Sequence, residues 1–145
     1  MARIVRQHLD YVQRWSLPDV YLFTANAIRT RDGRLVMGAG AAKAVRDAYP
    51  GIDSRIPLNS PVTYVEVTPG SNQWLGRFQV KHHWKDAADL ELIAQSAEIL
   101  ARHATLRPNV QFHLNAPGVG NGRLQWADVQ PLLTRLPENV AIYLC

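Results

Sequence analysis

A chain of 145 residues, 47% hydrophobic and 19% charged, is long enough for one domain with its own core and has the composition of a soluble globular protein. It contains no run of the ~18 apolar residues that a membrane span needs and opens on no signal-peptide pattern. The expectation is therefore a single domain over residues 1–145, cytoplasmic and off the membrane. One cysteine, Cys145, excludes an internal disulfide and any cysteine-built metal site. The net charge of +4, with thirteen Arg and only three Lys, is compatible with nucleic acid or a phosphorylated small molecule as partner. No dense basic cluster with interleaved aromatics stands out, and isolated arginines on solvated faces explain the charge equally well.

Taken in chain order, residues 3–9 suggest a short strand of uncertain register, and Ser16-Leu17-Pro18-Asp19 a loop. Val20-Tyr21-Leu22-Phe23-Thr24-Ala25 is a continuous β-prone apolar run, the pattern of a central buried strand, and it ends at Asn26. Arg31-Asp32-Gly33-Arg34 predicts a turn. A helix is expected from about Ala41 until Pro50-Gly51 stops it. Pro61–Thr68 and Trp74–Val80 predict two strands around Pro69-Gly70-Ser71-Asn72, a hairpin. Residues 88–104 predict the clearest helix, with Leu90, Ile93, Ala97, Leu100 and Ala104 on one side and Glu91, Gln95, Glu98 and Arg102 opposite. Val110–Leu114 predicts a strand, Trp126–Leu136 a helix that tolerates Pro131 near its start or kinks there, and Asn139–Leu144 a last strand. Strands alternating with helices, plus one hairpin, predict an α/β fold with a mixed sheet.

Two glycine loops carry the functional signal. Gly38-Ala39-Gly40 lies where the apolar approach Leu35-Val36-Met37 turns into helix-forming Ala41-Ala42-Lys43-Ala44. Gly118-Val119-Gly120-Asn121-Gly122 stands between a second strand and a second helix. Glycines at such junctions let backbone amides approach a ligand closely, and a helix N-terminus favours a phosphate. Either loop alone is a weak signal, as compatible with a plain turn as with a ligand. Two of them, with Asn26, converge at the carboxyl edge of one sheet, where such sheets bind ligands.

Four blocks in order resemble the macrodomain family, which binds ADP-ribose. They are Phe23-Thr24-Ala25-Asn26; Val36-Met37-Gly38-Ala39-Gly40-Ala41-Ala42; Phe78-Gln79-Val80-Lys81-His82-His83-Trp84; and Pro117-Gly118-Val119-Gly120-Asn121-Gly122-Arg123-Leu124-Gln125-Trp126. The chain is most similar to the subgroup that contains terminal ADP-ribose protein glycohydrolase and the antitoxin that strips ADP-ribose from DNA. Its compact, Arg-rich form also looks like phage-encoded members, for which the compartment would be the host cytoplasm. The resemblance implies a three-layer α/β/α fold with a mixed central sheet. It implies that Ala25 and Asn26 approach the distal ribose and that Gly38, Ala39, Gly40 and Ala41 wrap that ribose and the diphosphate. Pro117, Gly118, Val119, Gly120, Asn121 and Gly122 would close from the other side. Asp10 is the candidate adenine-binding carboxylate, or else a surface carboxylate or helix N-cap.

Lys81 matches the lysine implicated in attack on the anomeric carbon, with Asn26 beside it as the second candidate catalytic residue. A lysine in a cationic or desolvated pocket loses its proton and becomes a nucleophile; a solvated lysine or a simple phosphate contact is the alternative. The subgroup's loop Asp has no counterpart in Gly120-Asn121-Gly122-Arg123, so His82, His83, Asp32 and Asp86 are the remaining acid–base candidates. Both histidines also fit an edge-strand surface, and Asp32 a plain turn. Trp74, Trp84 and Trp126 fit packing roles, although one of them, or Tyr49, suits stacking on adenine. The histidines have no metalloprotease spacing, and no metal or cofactor is expected. The implied partner is ADP-ribose or a related nucleotide, together with the ADP-ribosylated nucleic acid or protein that bears it. Two functions stay open. One is hydrolysis at the distal ribose, by an ADP-ribosyl glycohydrolase or an ADP-ribose 1″-phosphate phosphatase. The other is a binding module without turnover.

Overall fold

The computed structural model describes residues 1–12 and 18–145. Strands β1 (Arg3–Val5), β2 (Asp19–Ala25), β3 (Val62–Glu66), β4 (Gln73–Gln79), β5 (Gln111–Asn115) and β6 (Val140–Tyr143) form one sheet in the order β1-β6-β5-β2-β4-β3. Every neighbouring pair is parallel except β3 and β4, the predicted hairpin, whose register runs from Val62↔Phe78 to Glu66↔Trp74. The helices are α1 (Gly40–Ala48), α2 (Leu90–Leu106) and the one-turn α3 (Trp126–Val129).

Alternation along the strands divides the core. Val20 and Leu22 of β2, Phe78 of β4, Phe112 and Leu114 of β5, and Val140 and Ile142 of β6 pack with Ile93, Ala97, Leu100 and Ala104 of α2. On the opposite side Tyr21, Phe23 and Ala25 pack with Leu75, Leu35, Met37, Ile52 and Ile56, and with Ala42 and Val45 of α1. One sheet is thus covered on both faces, an α/β/α arrangement in which each fully buried Leu, Ile or Phe contributes about 1.5–3 kcal/mol. Helix α2 starts where Asp89 caps it, the carboxylate accepting from the Glu91 N–H at 2.9 Å.

Several local expectations are corrected. β1 stops at Val5 instead of reaching residue 9. Asp19 opens β2 instead of closing the preceding loop, of which Ser16 and Leu17 lie outside the described residues. Leu90 is 38% exposed, and the buried stripe of α2 uses Leu92 and Ser96 instead. Helix Trp126–Leu136 is α-helical only to Val129 and then tightens into a 3-10 turn over Gln130–Leu133, because Pro131 has no N–H for the α-helical ladder. His82 and His83 are not on an edge strand: β4 lies between β2 and β3, and both histidines sit in the loop that follows it.

Gly76, mid-strand in β4, is required by close backbone approach. A Cβ there would overlap the Thr63 carbonyl oxygen and lie 2.5 Å from the Tyr64 Cα in β3. Gly76→Ala is expected to destabilise the protein by about 3 kcal/mol, the upper range for overpacking, read from the shift in the urea unfolding midpoint.

Candidate functional site

After the edge strand β1, the chain lays down β2, adds the β3–β4 hairpin with β4 beside it, then crosses over through α2 to add β5 on the other side. The loops that leave the carboxyl ends of β2 and β5 therefore run in different directions, and a crevice opens between them. It encloses about 680 Å³, well within the ~300–1,000 Å³ of small-molecule sites. Its walls are the two glycine loops, Ala25 and Asn26 at the end of β2, and Val80, Lys81 and Trp84 beyond β4. A second hollow of similar volume lies between α2 and the 132–136 segment, but alanines, leucines and long charged side chains line it. Neither glycine loop lines that second space, so chemistry and not size distinguishes the two.

The first wall is the N-terminus of α1. Ala39 stands at the N-cap with no side chain capping the helix, and its first turn holds no acidic residue. The leading amides are thus left for an anion. Gly40 enters the helix at φ +58, and a Cβ there would come within 2.7 Å of Asn121 Nδ2. Asn121 therefore lies directly against Gly40, and the two glycine loops meet across the crevice. The second loop is held from behind by the start of α2: the Ala88 N–H donates to the Gly122 carbonyl at 2.9 Å, and a Cβ on Gly122 would meet Ala88 Cβ at 2.9 Å. Gly118, at φ +75, packs against Ile93 and Leu124 with no room for a side chain.

Asn26 is buried and already engaged. Its Nδ2 donates to the Val36 carbonyl (3.1 Å), and its Oδ1 accepts from the Ile28 N–H (2.9 Å), so it clips the loop between β2 and α1. One amide hydrogen remains for a ligand. Behind it, the fully buried Arg77 donates to the carbonyls of Asn26 (2.9 Å) and Ser60 (2.7 Å). Burial, aided by nearby Arg29, lowers the Arg77 pKa to about 10.

Lys81 lies on the crevice wall as the sole ionisable side chain among the described lining residues. Its Nζ donates to the carbonyls of Asp86 (3.2 Å) and Trp84 (3.5 Å). Partial burial, and then the charge of Arg123, bring its pKa below that of an ordinary lysine, while Asp86 opposes them. The other acid–base candidates stay outside the lining. Asp32 is hydrogen-bonded to Thr30 and paired with Arg34 at 2.9 Å in an exposed turn. His83 is turned to the Lys85 N–H at 3.1 Å.

Two residues of the expected set lie apart. Pro117 is buried behind the second loop and does not line the crevice. Asp10 is exposed, accepts from the Val12 N–H at 2.9 Å, and is likewise no part of the lining. The remaining glycine-loop residues, Ala25, Asn26 and Lys81 are brought together. Trp84, one of the candidate stacking aromatics, lines the crevice too, and Thr24 and Asn115 join without having been singled out as site residues. A polar residue closing an apolar strand, as Asn115 does, was the available signal, since Asn26 does the same.

This sheet order and these paired loops define a macrodomain fold. The macrodomain of Mycobacterium tuberculosis DarG is similar in structure, with a TM-score of 0.75 and 22% identity over 100% of this chain and 99% of that one. The macrodomain of Thermus aquaticus DarG gives 0.74 and 22% over 99% and 97%. Thermosipho africanus DarTG, solved in complex with ADP-ribose, gives 0.68 and 22% over 87% of this chain and 38% of that one. No protein-family model and no curated protein matches the sequence.

The glycines differ in what they demand. Gly118→Ala combines left-handed strain with overlap on Ile93 and Leu124, and is expected to cost about 3 kcal/mol. Gly120, at φ +78 with nothing within 4 Å of a Cβ, carries the strain alone, and Gly120→Ala should cost about 1 kcal/mol. Parallel urea titrations of the two variants check the difference.

Proposed function

We propose that the crevice binds ADP-ribose and that the protein hydrolyses the bond from its distal ribose to a modified target, with Lys81 as nucleophile. The observation that carries this reading is a lysine of lowered pKa standing alone among the ionisable groups of a crevice walled by backbone amides. The uncapped start of α1 and the facing glycine loop suit a diphosphate. The free Asn26 hydrogen suits a ribose hydroxyl.

In the proposed reaction the neutral Nζ gives its lone pair to C1″ of the distal ribose. The bond from C1″ to the target breaks, and its electron pair leaves with the target. The adduct nitrogen is then an ammonium; water attacks C1″, the C1″–Nζ bond breaks with its electron pair returning to the neutral lysine amine, and the proton lost by the water goes to solvent as ADP-ribose is released. With no acid on the wall to protonate the departing atom, groups that leave as weak bases are suited: a carboxylate, a phosphate or a ring-nitrogen anion. A second reading is recognition without turnover. It is favoured by the two carbonyl contacts of Lys81 Nζ, which stabilise the protonated amine.

Calorimetry with ADP-ribose should show micromolar binding or tighter, about −8 kcal/mol at 1 µM; no heat at millimolar ligand would remove the whole reading. Gly38→Val, at a lining position where a Cβ meets nothing within 4 Å, should weaken that binding about a hundredfold with little effect on stability. Lys81→Ala and Lys81→Arg should both abolish release of ADP-ribose from modified DNA or protein, because guanidinium stays protonated. A fully active Lys81→Arg would exclude the covalent route. The amine must be neutral to attack, so log kcat should rise with slope one as pH increases and level off above the lowered pKa of Lys81. Turnover with a flat profile would exclude the neutral lysine as nucleophile, and no turnover at any pH would point to recognition alone.

A further inference from the structure

We propose that the hollow between α2 and the 132–136 segment is a self-association surface, which a second copy of this chain covers with its own α2, packed antiparallel about a twofold axis. On the α2 side two adjacent ridges line the hollow. Ala94, Glu98, Arg102 and Leu106 form one, at steps of four residues, and Ala97, Ala101 and Thr105 form the other. The second ridge is made of small side chains, so the larger ridge of another α2 has room to come down beside it. Leu132 and Leu136 continue the apolar lining on the facing wall. Leu106, at the end of the first ridge, is 77% exposed, more than any other large apolar side chain among the described residues.

Charge and register identify the occupant. Glu98 and Arg102 are exposed and one helical turn apart, with Glu98 leading, the order that favours an i,i+4 pair. Among the described residues neither forms an ion pair, and nor does Arg135 on the facing wall. A twofold axis level with Leu100 sets Glu98 against the partner's Arg102, and Arg102 against the partner's Glu98. The same axis brings Leu106 to the partner's Ala94, the smallest residue of that ridge. Both pairs are symmetric about residue 100, so a single register satisfies the charges and covers the leucine. An acidic peptide would match the arginines and repel Glu98, and a fatty acid would offer Glu98 no cation. The hollow shares no lining residue with the crevice, so this surface does not depend on what the crevice binds.

The test is the molar mass of the whole protein, followed by analytical ultracentrifugation as concentration rises. A mass climbing from one chain to two with a Kd of about 10 µM is expected, as for a small, transient interface. Glu98→Arg and Arg102→Glu each set like charges against one another across the axis, and each should raise that Kd about tenfold. The double variant Glu98→Arg/Arg102→Glu restores opposite signs and should recover most of the affinity. Ala101→Gln fills the small ridge with a residue that helices accept; it should abolish the dimer and leave ADP-ribose calorimetry as in the wild type. A mass that stays at one chain up to millimolar protein would overturn the inference. So would a dimer indifferent to Ala101→Gln, a double variant no tighter than either single one, or a monomer that takes a glutamate-rich peptide or a fatty acid into the hollow instead.

Discussion

β2 and β5 part company before either strand ends, and the crevice follows from that separation. Their ladder stops at Leu22↔Leu114. Beyond it the Asn115 carboxamide takes the place of backbone pairing: Oδ1 accepts from the Thr24 N–H (3.1 Å) and Nδ2 donates to Thr24 Oγ1 (2.9 Å). The buried Tyr11 hydroxyl donates within the same knot, contacting the Leu22 carbonyl at 2.9 Å and Asn115 Oδ1 at 3.1 Å. A side chain inserted between parallel strands satisfies the orphaned amide while holding the backbones apart. The floor of the crevice is the gap that results, and Thr24 and Asn115 line it.

Once the strands diverge, the backbone groups released at their ends need partners. Some find them within the fold. The Asn26 carbonyl is taken by Arg77 and the Ala27 N–H donates to the His82 carbonyl at 3.2 Å. The first amides of α1 are different, because no side chain caps them. A missing cap costs a helix about 1 kcal/mol, a cost that an anion bound at those amides would offset. Arg77 adds to the same end. It is a cation inside the core, hydrogen-bonded to two carbonyls and, among the described residues, paired with no carboxylate. Its charge, and that of Arg29 beside it, raises the potential behind the crevice wall.

Much of the architecture was legible because local chemistry and final environment agree. β2 reads as a buried strand and is one; the hairpin turn, the α1 stop at Pro50 and both glycine loops stand where their residues suggest. The failures occur where tertiary contacts decide. Leu90 matches the α2 stripe in sequence but sits at the helix start beyond the sheet, while Ser96, polar by type, is buried because its hydroxyl reaches the Gln79 carbonyl at 2.7 Å. Arg77 lies within a β-prone run, and nothing in the sequence tells that a guanidinium there is fully enclosed. Within the site, the glycine loops were legible because glycine spacing encodes backbone geometry. Thr24 and Asn115 were not, since their part depends on two strands separating.

Whether such a site turns over or only holds its ligand is an electrostatic question. A diphosphate bound as proposed would bring negative charge into the crevice that Lys81 lines, and that charge would favour the ammonium form. Left alone it would raise the lysine pKa and silence the nucleophile. The fold supplies opposing terms: partial desolvation of the amine, the Arg123 guanidinium beside it, and the α1 dipole whose positive end faces the anion. Arg123 has a particular place in that balance. It adopts a left-handed backbone conformation, φ +64, which a non-glycine residue adopts only at some cost. That turn ends the glycine loop and aims the guanidinium at the loop that carries Lys81. A residue of opposite charge in this place would raise the Lys81 pKa further. The cation there favours the neutral amine and would oppose the charge that the proposed diphosphate brings.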